Sequence, residues 1–117
     1  MTLSTTFSDI NSLDDIAFVA GSSYTLKFVV QNQSGSGIDI SGATCTWRMA
    51  PYGTTYTQLT KTGSVIATDT FAVYLGEGDT SGSSGKFAHQ PMIKFSTGVV
   101  LKPAQGIITL IQDLQWQ

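Results

Sequence analysis

The stretch that decides the fold is Ser23-Tyr-Thr-Leu-Lys-Phe-Val-Val-Gln31. Tyr24, Leu26, Phe28 and Val30 recur at every second position and alternate with Thr25, Lys27 and Val29. A period of two residues is that of a β-strand with one buried face. The glycine-containing segment 32–37 that follows ends the strand, because such residues favour turns. The sequence therefore predicts a half-buried strand over residues 23–31.

The same alternation recurs on both sides of this strand. In residues 43–50 one face carries Ala43, Cys45, Trp47 and Met49. Pro51 ends that strand, since proline has no amide to donate, and Pro91 and Pro103 are expected at edges or bulges for the same reason. Further strands are predicted over 16–21, 64–68, 70–76, 86–95 and 99–114, with an edge hairpin within 52–63 and a turn region over 76–85. Strand segments about ten residues apart, with no helical period, predict an all-β sandwich or barrel.

The length of 117 residues suits one domain with its own core. We expect residues 1–15 to be a polar, loosely docked N-terminal arm and residues 16–117 to form the domain. The first residues lack the basic and apolar regions of a secretory signal. No apolar run approaches the length of about 18 residues that a membrane span needs.

Charged residues make up 12% of the chain, about half the roughly 25% of an average soluble domain. The six basic residues are scattered along the sequence and the net charge is -2, so nucleic-acid binding is not expected. The single cysteine, Cys45, excludes an internal disulfide and fits folding in a reducing cytoplasm.

The residues that carry reactive groups are few, and each has a structural interpretation. His89, the only histidine, is expected to be a half-buried structural residue, and Cys45 a small core residue. Glu77 and Asp79 lie in a glycine-rich loop without the dense acidic alternation of a calcium loop. We therefore predict no catalytic residue, no metal site and no cofactor.

Exposed strand edges are the more informative feature, because an unprotected edge can pair with another chain. The Thr-rich segment 53–60 and the apolar segment 107–111 are candidates for such pairing. The candidate interface residues are Phe7, Ile10, Tyr52, Tyr56, Leu114 and Trp116. For Leu114 and Trp116, packing against the domain's own core is an equally open alternative.

One ordered set of motifs extends from about Ala20 to Ile111. A strand of the form Gly-x-x-Tyr-x-Leu-x-Phe-x-Val (residues 21–30) precedes Ile-Asp-Ile-Ser-Gly-Ala-Thr (38–44) and an aromatic-bearing strand. Gly-Lys-Phe-Ala-His (85–89) and a final Gly-Ile-Ile-Thr-Leu (106–110) follow. This pattern resembles the immunoglobulin-like domain of tailed-bacteriophage virion proteins, such as the N-terminal module of baseplate upper proteins and small tail or fibre-attachment proteins.

The resemblance implies an immunoglobulin-like antiparallel β-sandwich of about seven to nine strands. It also implies a virion structural protein that folds in the bacterial cytoplasm and acts through interfaces with copies of itself and other virion proteins. The expected position is the tail, baseplate or fibre-attachment region. Two alternatives are a capsid decoration protein and a carbohydrate- or host-surface-binding module, for which Tyr52, Tyr56 and Asp79 are the candidate residues.

Overall fold

The computed structural model describes residues 2–7, 13, 15–32, 34–103 and 105–112. Over these residues the chain forms ten β-strands and one helical turn. Their bounds are β1 (Thr2–Phe7), β2 (Ile16–Val19), β3 (Tyr24–Val30), β4 (Thr44–Pro51), β5 (Leu59–Thr62), β6 (Ser64–Ala67), β7 (Thr70–Leu75), α1 (Glu77–Thr80), β8 (Gly85–Lys94), β9 (Val100–Leu101) and β10 (Gly106–Ile111).

The strands form two sheets. The four-stranded sheet has the order β1-β3-β7-β6, and the six-stranded sheet has the order β2-β10-β8-β4-β5, with β9 paired to the far end of β8. The predicted all-β sandwich is confirmed. Two strand pairs, β1 with β3 and β2 with β10, are parallel, and the other pairs are antiparallel. The sheets are therefore mixed, whereas the expected sandwich was antiparallel.

The pairing order corresponds to that of a variable-type immunoglobulin sandwich. In that fold, strands B, E and D lie in one sheet and strands G, F, C and C′ in the other. Here β3, β7 and β6 follow the first order, and β10, β8, β4 and β5 follow the second. On this correspondence, β4 is strand C, which carries the buried tryptophan in antibody domains.

The core lies between the two sheets and comes from the inward positions predicted by alternation. The four-stranded sheet contributes Leu26, Phe28, Val30, Phe71, Val73 and Leu75, all at most 3% exposed. The six-stranded sheet contributes Cys45, Trp47, Met49, Ile93, Ile108 and Leu110, all at most 2% exposed. At the centre the rings of Phe28 and Phe71 stack, with their centroids 5.0 Å apart. The buried side chains of both sheets belong to one hydrophobic cluster.

The N-terminal segment differs from the loosely docked arm expected over residues 1–15. Thr2–Phe7 form β1, an edge strand whose residues pair in register with β3, from Thr2 opposite Thr25 to Phe7 opposite Val30. Leu13, further along the same segment, is 4% exposed and belongs to the core cluster. An edge strand buries little apolar area, so the polar composition of this segment gave no strong strand signal.

A tight turn before β4 explains the Ile-Asp-Ile-Ser-Gly-Ala motif physically. The Ala43 amide donates to the Ile40 carbonyl at 3.0 Å, and Gly42 has a φ of 76°. A turn with a positive φ at its third residue favours glycine there. The Ser41 amide also donates to the Asp39 carboxylate at 2.9 Å, and hydrogen bonds from Ser41 lower the pKa of Asp39. The motif is thus a turn that fixes the entry into β4.

Pro91 lies inside a central strand rather than at a sheet edge, which corrects the expectation for this residue. It pairs with Trp47 of β4, and the strand on the opposite side of β8 is interrupted between Leu101 and Gly106. Pro103 lies within that interruption, and its carbonyl accepts a hydrogen bond from the Gln90 side chain at 2.6 Å. A residue without an amide donor is tolerated in β8 where one neighbouring ladder is interrupted.

Candidate interaction surface

His89 lies in the centre of the core. It is 1% exposed, and its Nδ1 accepts the indole N–H of Trp47 at 3.1 Å. Because an accepting ring nitrogen carries no proton, this bond fixes the neutral tautomer with the proton on Nε2. The ring also lies 6.4 Å from Phe28 of the opposite sheet. The sequence predicted a half-buried structural histidine; the structure buries it fully.

The three side chains Trp47, His89 and Phe28 occupy the part of the sandwich where antibody domains place a tryptophan against an inter-sheet disulfide. Phe28 lies on β3 and His89 on β8, the strands that correspond to those joined by that disulfide. Here the contact between the sheets is the packing of the Phe28 and His89 rings, and the buried Trp47–His89 hydrogen bond lies within the six-stranded sheet.

Cys45 lies on the same inward face of β4 as Trp47 and is 2% exposed. Burial raises the pKa of its thiol to about 11. At neutral pH the side chain is therefore a protonated thiol, whereas the thiolate is the form that attacks electrophiles and binds metals. The predicted role as a small core residue agrees with this position.

Glu77 and Asp79, the acidic residues of the glycine-rich segment, both lie in α1. The Asp79 carboxylate accepts the Gly76 amide at 2.7 Å and forms an ion pair with Lys61 of β5 at 2.9 Å. Partial burial on its own raises the pKa of Asp79, but the hydrogen bonds from Lys61 and Gly76 outweigh it and the pKa is lowered overall. Asp79, one candidate for glycan binding, is thus engaged in holding β5 to this loop.

Tyr52 and Tyr56, two predicted interface residues, lie in the connection from β4 to β5. Their exposed fractions are 58% and 75%, and every residue from 52 to 58 is exposed. The loop is anchored at both ends, by the Tyr52 amide donating to the Lys86 carbonyl and the Gln58 amide donating to the Met49 carbonyl. Both tyrosines are therefore available for contact with a partner.

Of the other predicted interface residues, one lies in a strand within the described part of the chain. Phe7 is the last residue of β1, with its backbone opposite Val30. Ile10, Leu114 and Trp116 lie outside the described residues.

The sheet edges differ from those expected in one respect. Residues 107–111 lie within β10, which is flanked by β2 and β8 and so is not available to another chain. Residues 59 and 60 do lie on an edge strand, β5. The other edge on that side of the sandwich is β6, where all four residues are exposed, Val65 by 40% and Ile66 by 46%. The sequence pattern of β6 did not indicate that this apolar strand lies at an edge.

The outer face of the six-stranded sheet gathers basic residues that are distant in sequence. Outward positions of β8 carry Lys86 and Lys94, and an outward position of β4 carries Arg48. Lys102 follows β9 and lines a depression of about 120 Å³ together with Thr46, Arg48, Gln90 and Met92. We call the surface defined by Arg48, Lys86, Lys94 and Lys102 the cationic face. Four of the six basic residues of the chain thus lie on one sheet face, although they are scattered in sequence.

The structure adds two observations on metals and membranes, both limited to the described residues. No three His, Cys, Asp or Glu side chains among them come together in a way that would hold a metal ion. No helix in this part of the chain has the length and apolar character that crossing a membrane requires.

No protein-family model matches the chain, and no curated protein matches it significantly.

Proposed function

We propose that this chain is a structural subunit of a tailed-bacteriophage virion that acts through protein–protein interfaces in the tail, baseplate or fibre-attachment region. The observation that carries the proposal is the apolar edge strand β6, with Val65 and Ile66 both exposed. An edge of this kind presents unpaired backbone groups and apolar side chains, and natural monomers usually blunt such edges with charge or cover them. β6 has neither a lysine nor a proline. It is four residues long, and a register shift between Val65 and Ala67 interrupts its pairing with β7, but Val65 and Ile66 remain exposed.

The motif pattern and the core support the same proposal. The motifs that resemble phage immunoglobulin-like domains fall on β3, the turn before β4, β8 and β10. His89 and Cys45, which carry the most versatile reactive groups, are used in packing. A domain whose reactive groups are enclosed acts through its surface, and we infer that it is not an enzyme. Its partners would be copies of itself and other virion proteins.

The membership in a virion is tested by mass spectrometry of particles purified from the phage that encodes the chain. We expect the protein in the particles at a copy number that is a small multiple of the tail or baseplate symmetry. A copy number in the hundreds would favour capsid decoration or a tail tube. Absence from purified particles would contradict the proposal.

The role of β6 is tested by a double substitution, Val65→Lys with Ile66→Lys. Charge on an edge strand opposes strand addition, so we expect the variant to lose self-association measured by light scattering after gel filtration, while its far-UV circular dichroism is unchanged. The matched control is Val99→Lys with Val100→Lys, since these two residues are also exposed, by 61% and 45%, but lie at the β8–β9 hairpin. Equal loss in both variants would contradict an edge-specific interface.

A carbohydrate- or host-surface-binding module is the second candidate. The exposure of Tyr52 and Tyr56 on one anchored loop favours it, because aromatic side chains with a polar tip suit wet binding surfaces. Saturable binding of the isolated domain on a glycan array, lost in Tyr56→Ala, would support this candidate.

A further inference from the structure

We propose that the cationic face binds an acidic polysaccharide, and that the depression between Arg48 and Lys102 receives one of its acidic groups. This inference concerns the six-stranded sheet, whereas the proposed assembly edge β6 belongs to the four-stranded sheet. The two proposals therefore rest on different surfaces and fail separately.

Positive and negative side chains are segregated on this sheet. The strands β4, β5, β8 and β9 contain no Asp or Glu. The acidic residues of the described part lie outside these strands, with Asp15, Asp39 and Asp69 in connections and Glu77 and Asp79 in α1. Within that part the one ion pair joins Lys61 to Asp79, so none of the four cations of the cationic face is paired. On a chain with a net charge of -2, an unpaired cationic surface provides charge complementarity to an anionic partner.

The cations of this face are spaced along the strand direction. A strand rises about 3.3 Å per residue, so Lys86 and Lys94 lie about 26 Å apart along β8. Arg48 lies beside Gln90, midway between them, and Lys102 follows Leu101, which pairs with Ile93. Cations therefore recur about every 7 to 13 Å along the sheet. This spacing suits a chain whose acidic groups are separated by neutral sugar units.

Neutral hydrogen-bonding side chains lie between the cations. The outward positions of β4 and β5 carry the hydroxyls of Thr44, Thr46, Thr60 and Thr62. Gln90 donates its amide N–H to the Pro103 carbonyl, which leaves its carbonyl oxygen as an acceptor and ties the segment bearing Lys102 to β8. Hydroxyl and amide groups between cations pair with sugar hydroxyls in the way that they pair with water.

A polysaccharide fits this face better than a nucleic acid. Single-stranded nucleic acids are held by aromatic side chains on which the bases stack. The outward positions of β8 carry Lys86, Ala88, Gln90, Met92 and Lys94, and those of β4 and β5 carry threonine, arginine and alanine. None of these strand side chains is aromatic. Tyr52, whose amide donates to the Lys86 carbonyl, is an exposed aromatic residue at one end of the face, but one ring does not provide the series of rings on which successive bases stack.

The experiment measures binding of the full chain to immobilised hyaluronate, which has carboxylate groups, and to dextran sulfate, with neutral dextran as the blank. Lys102→Glu reverses one charge beside the depression. Lys27→Glu is the matched control, since it makes the same charge change on β3 of the other sheet. Both variants are first compared with the wild type by thermal unfolding.

We expect Lys102→Glu to weaken hyaluronate binding about tenfold and Lys27→Glu to weaken it much less. The affinity of the wild type should fall as salt is raised, because exposed charges are screened. Binding of dextran sulfate but not hyaluronate would restrict the acidic group to sulfate and leave the proposal standing. Equal losses in the two variants, or equal binding to neutral dextran, would overturn it.

A single-stranded oligothymidylate tested at the same salt separates the two classes of polyanion. We expect weaker binding than for hyaluronate, and tighter binding of the oligonucleotide would overturn the proposal. The wild-type salt dependence and the oligonucleotide comparison need no variant. They therefore still test whether the protein binds an acidic polysaccharide in preference to a nucleic acid if a substitution impairs folding. Loss of self-association in the β6 variant with polysaccharide binding retained would show that the two surfaces act independently.

Discussion

The two faces of the β4–β8 pair use adjacent residues in opposite ways. Trp47 and His89 point inward, at 0% and 1% exposed, and share a hydrogen bond. Arg48 and Gln90, the next residue on each strand, point outward and are opposite each other. Inward polar groups must satisfy each other because no water reaches them. Outward polar groups can exchange water for a partner, so one pair of strands both holds the core together and presents a binding surface.

The inward face gives the largest expected effect. Trp47→Ala removes the largest buried side chain of the core and leaves His89 without its indole donor. We expect a loss of about 3–5 kcal/mol in the free energy of unfolding, from the lost packing and the cavity. Urea unfolding followed by circular dichroism measures it, with Arg48→Ala as the control on the neighbouring position. A loss below about 1 kcal/mol would contradict the central role of Trp47.

Alternation predicted the inward face well. Residues 24–30 and 43–49 have the same period of two in sequence and in structure, and Trp47 faces the core as expected. Because side chains on a strand alternate strictly, the buried face follows from the pattern without knowledge of the partner strand. The full burial of His89 did not follow from the sequence, since it depends on which residues of the opposite sheet cover the ring.

A second prediction tests how tightly the inward face is packed at Gly106, which pairs with His89. A Cβ atom added there would lie 2.7 Å from His89 Nε2 and 2.6 Å from Leu13 Cβ. We therefore expect Gly106→Ala to lower the free energy of unfolding by about 1–3 kcal/mol through overpacking. The measurement is chemical denaturation at constant pH.

Gly78→Ala is the control for this substitution. Gly78 lies in α1 with no atom within 4 Å of an added Cβ, so alanine there should be neutral or stabilising by up to about 1 kcal/mol. If Gly106→Ala behaves like Gly78→Ala, the close approach of β10 to His89 does not constrain the fold.

A third prediction concerns the Lys61–Asp79 ion pair, whose side chains are 31% and 19% exposed. Because the pKa of Asp79 is lowered in the folded protein, its contribution is fully present above the ordinary carboxyl pKa of about 4. It is lost as the pH falls through the lower folded-state pKa. Asp79→Asn should thus cost at most about 1 kcal/mol at pH 7.

The difference between the wild type and Asp79→Asn should shrink as the pH is lowered below 4, the ordinary carboxyl pKa. Urea titrations at a series of pH values test this, with Glu77→Gln as the control because Glu77 shows no such ion pair in the described part of the chain. A difference that grows on acidification would mean that Asp79 does not stabilise the fold as its charged form.

The outward face was much harder to predict from sequence. Lys86, Lys94 and Lys102 are eight residues apart from one to the next, and Arg48 is far from all three. Only the register, which places Arg48 opposite Gln90 and Leu101 opposite Ile93, brings them onto one surface. Strand pairing between distant segments is decided by the packing of the whole sandwich, so a count of charges along the chain could not show the grouping. The position of β6 at a sheet edge likewise follows from the strand pairing and not from its own sequence.

The smallest expected effect on stability belongs to this outward face. Arg48→Gln and Lys102→Gln each remove an exposed charge that forms no ion pair within the described part of the chain, so the free energy of unfolding should change by at most about 0.5 kcal/mol. A slight stabilisation is the expected sign, because neighbouring like charges on the face repel each other. Thermal unfolding at low and at physiological salt measures it, and added salt should reduce the difference. A large loss of stability in either variant would mean that the charge supports the fold. The proposal that inward residues of β4 and β8 stabilise the core while the adjacent outward residues bind a partner would then be wrong, because a side chain that the fold requires is not available for binding.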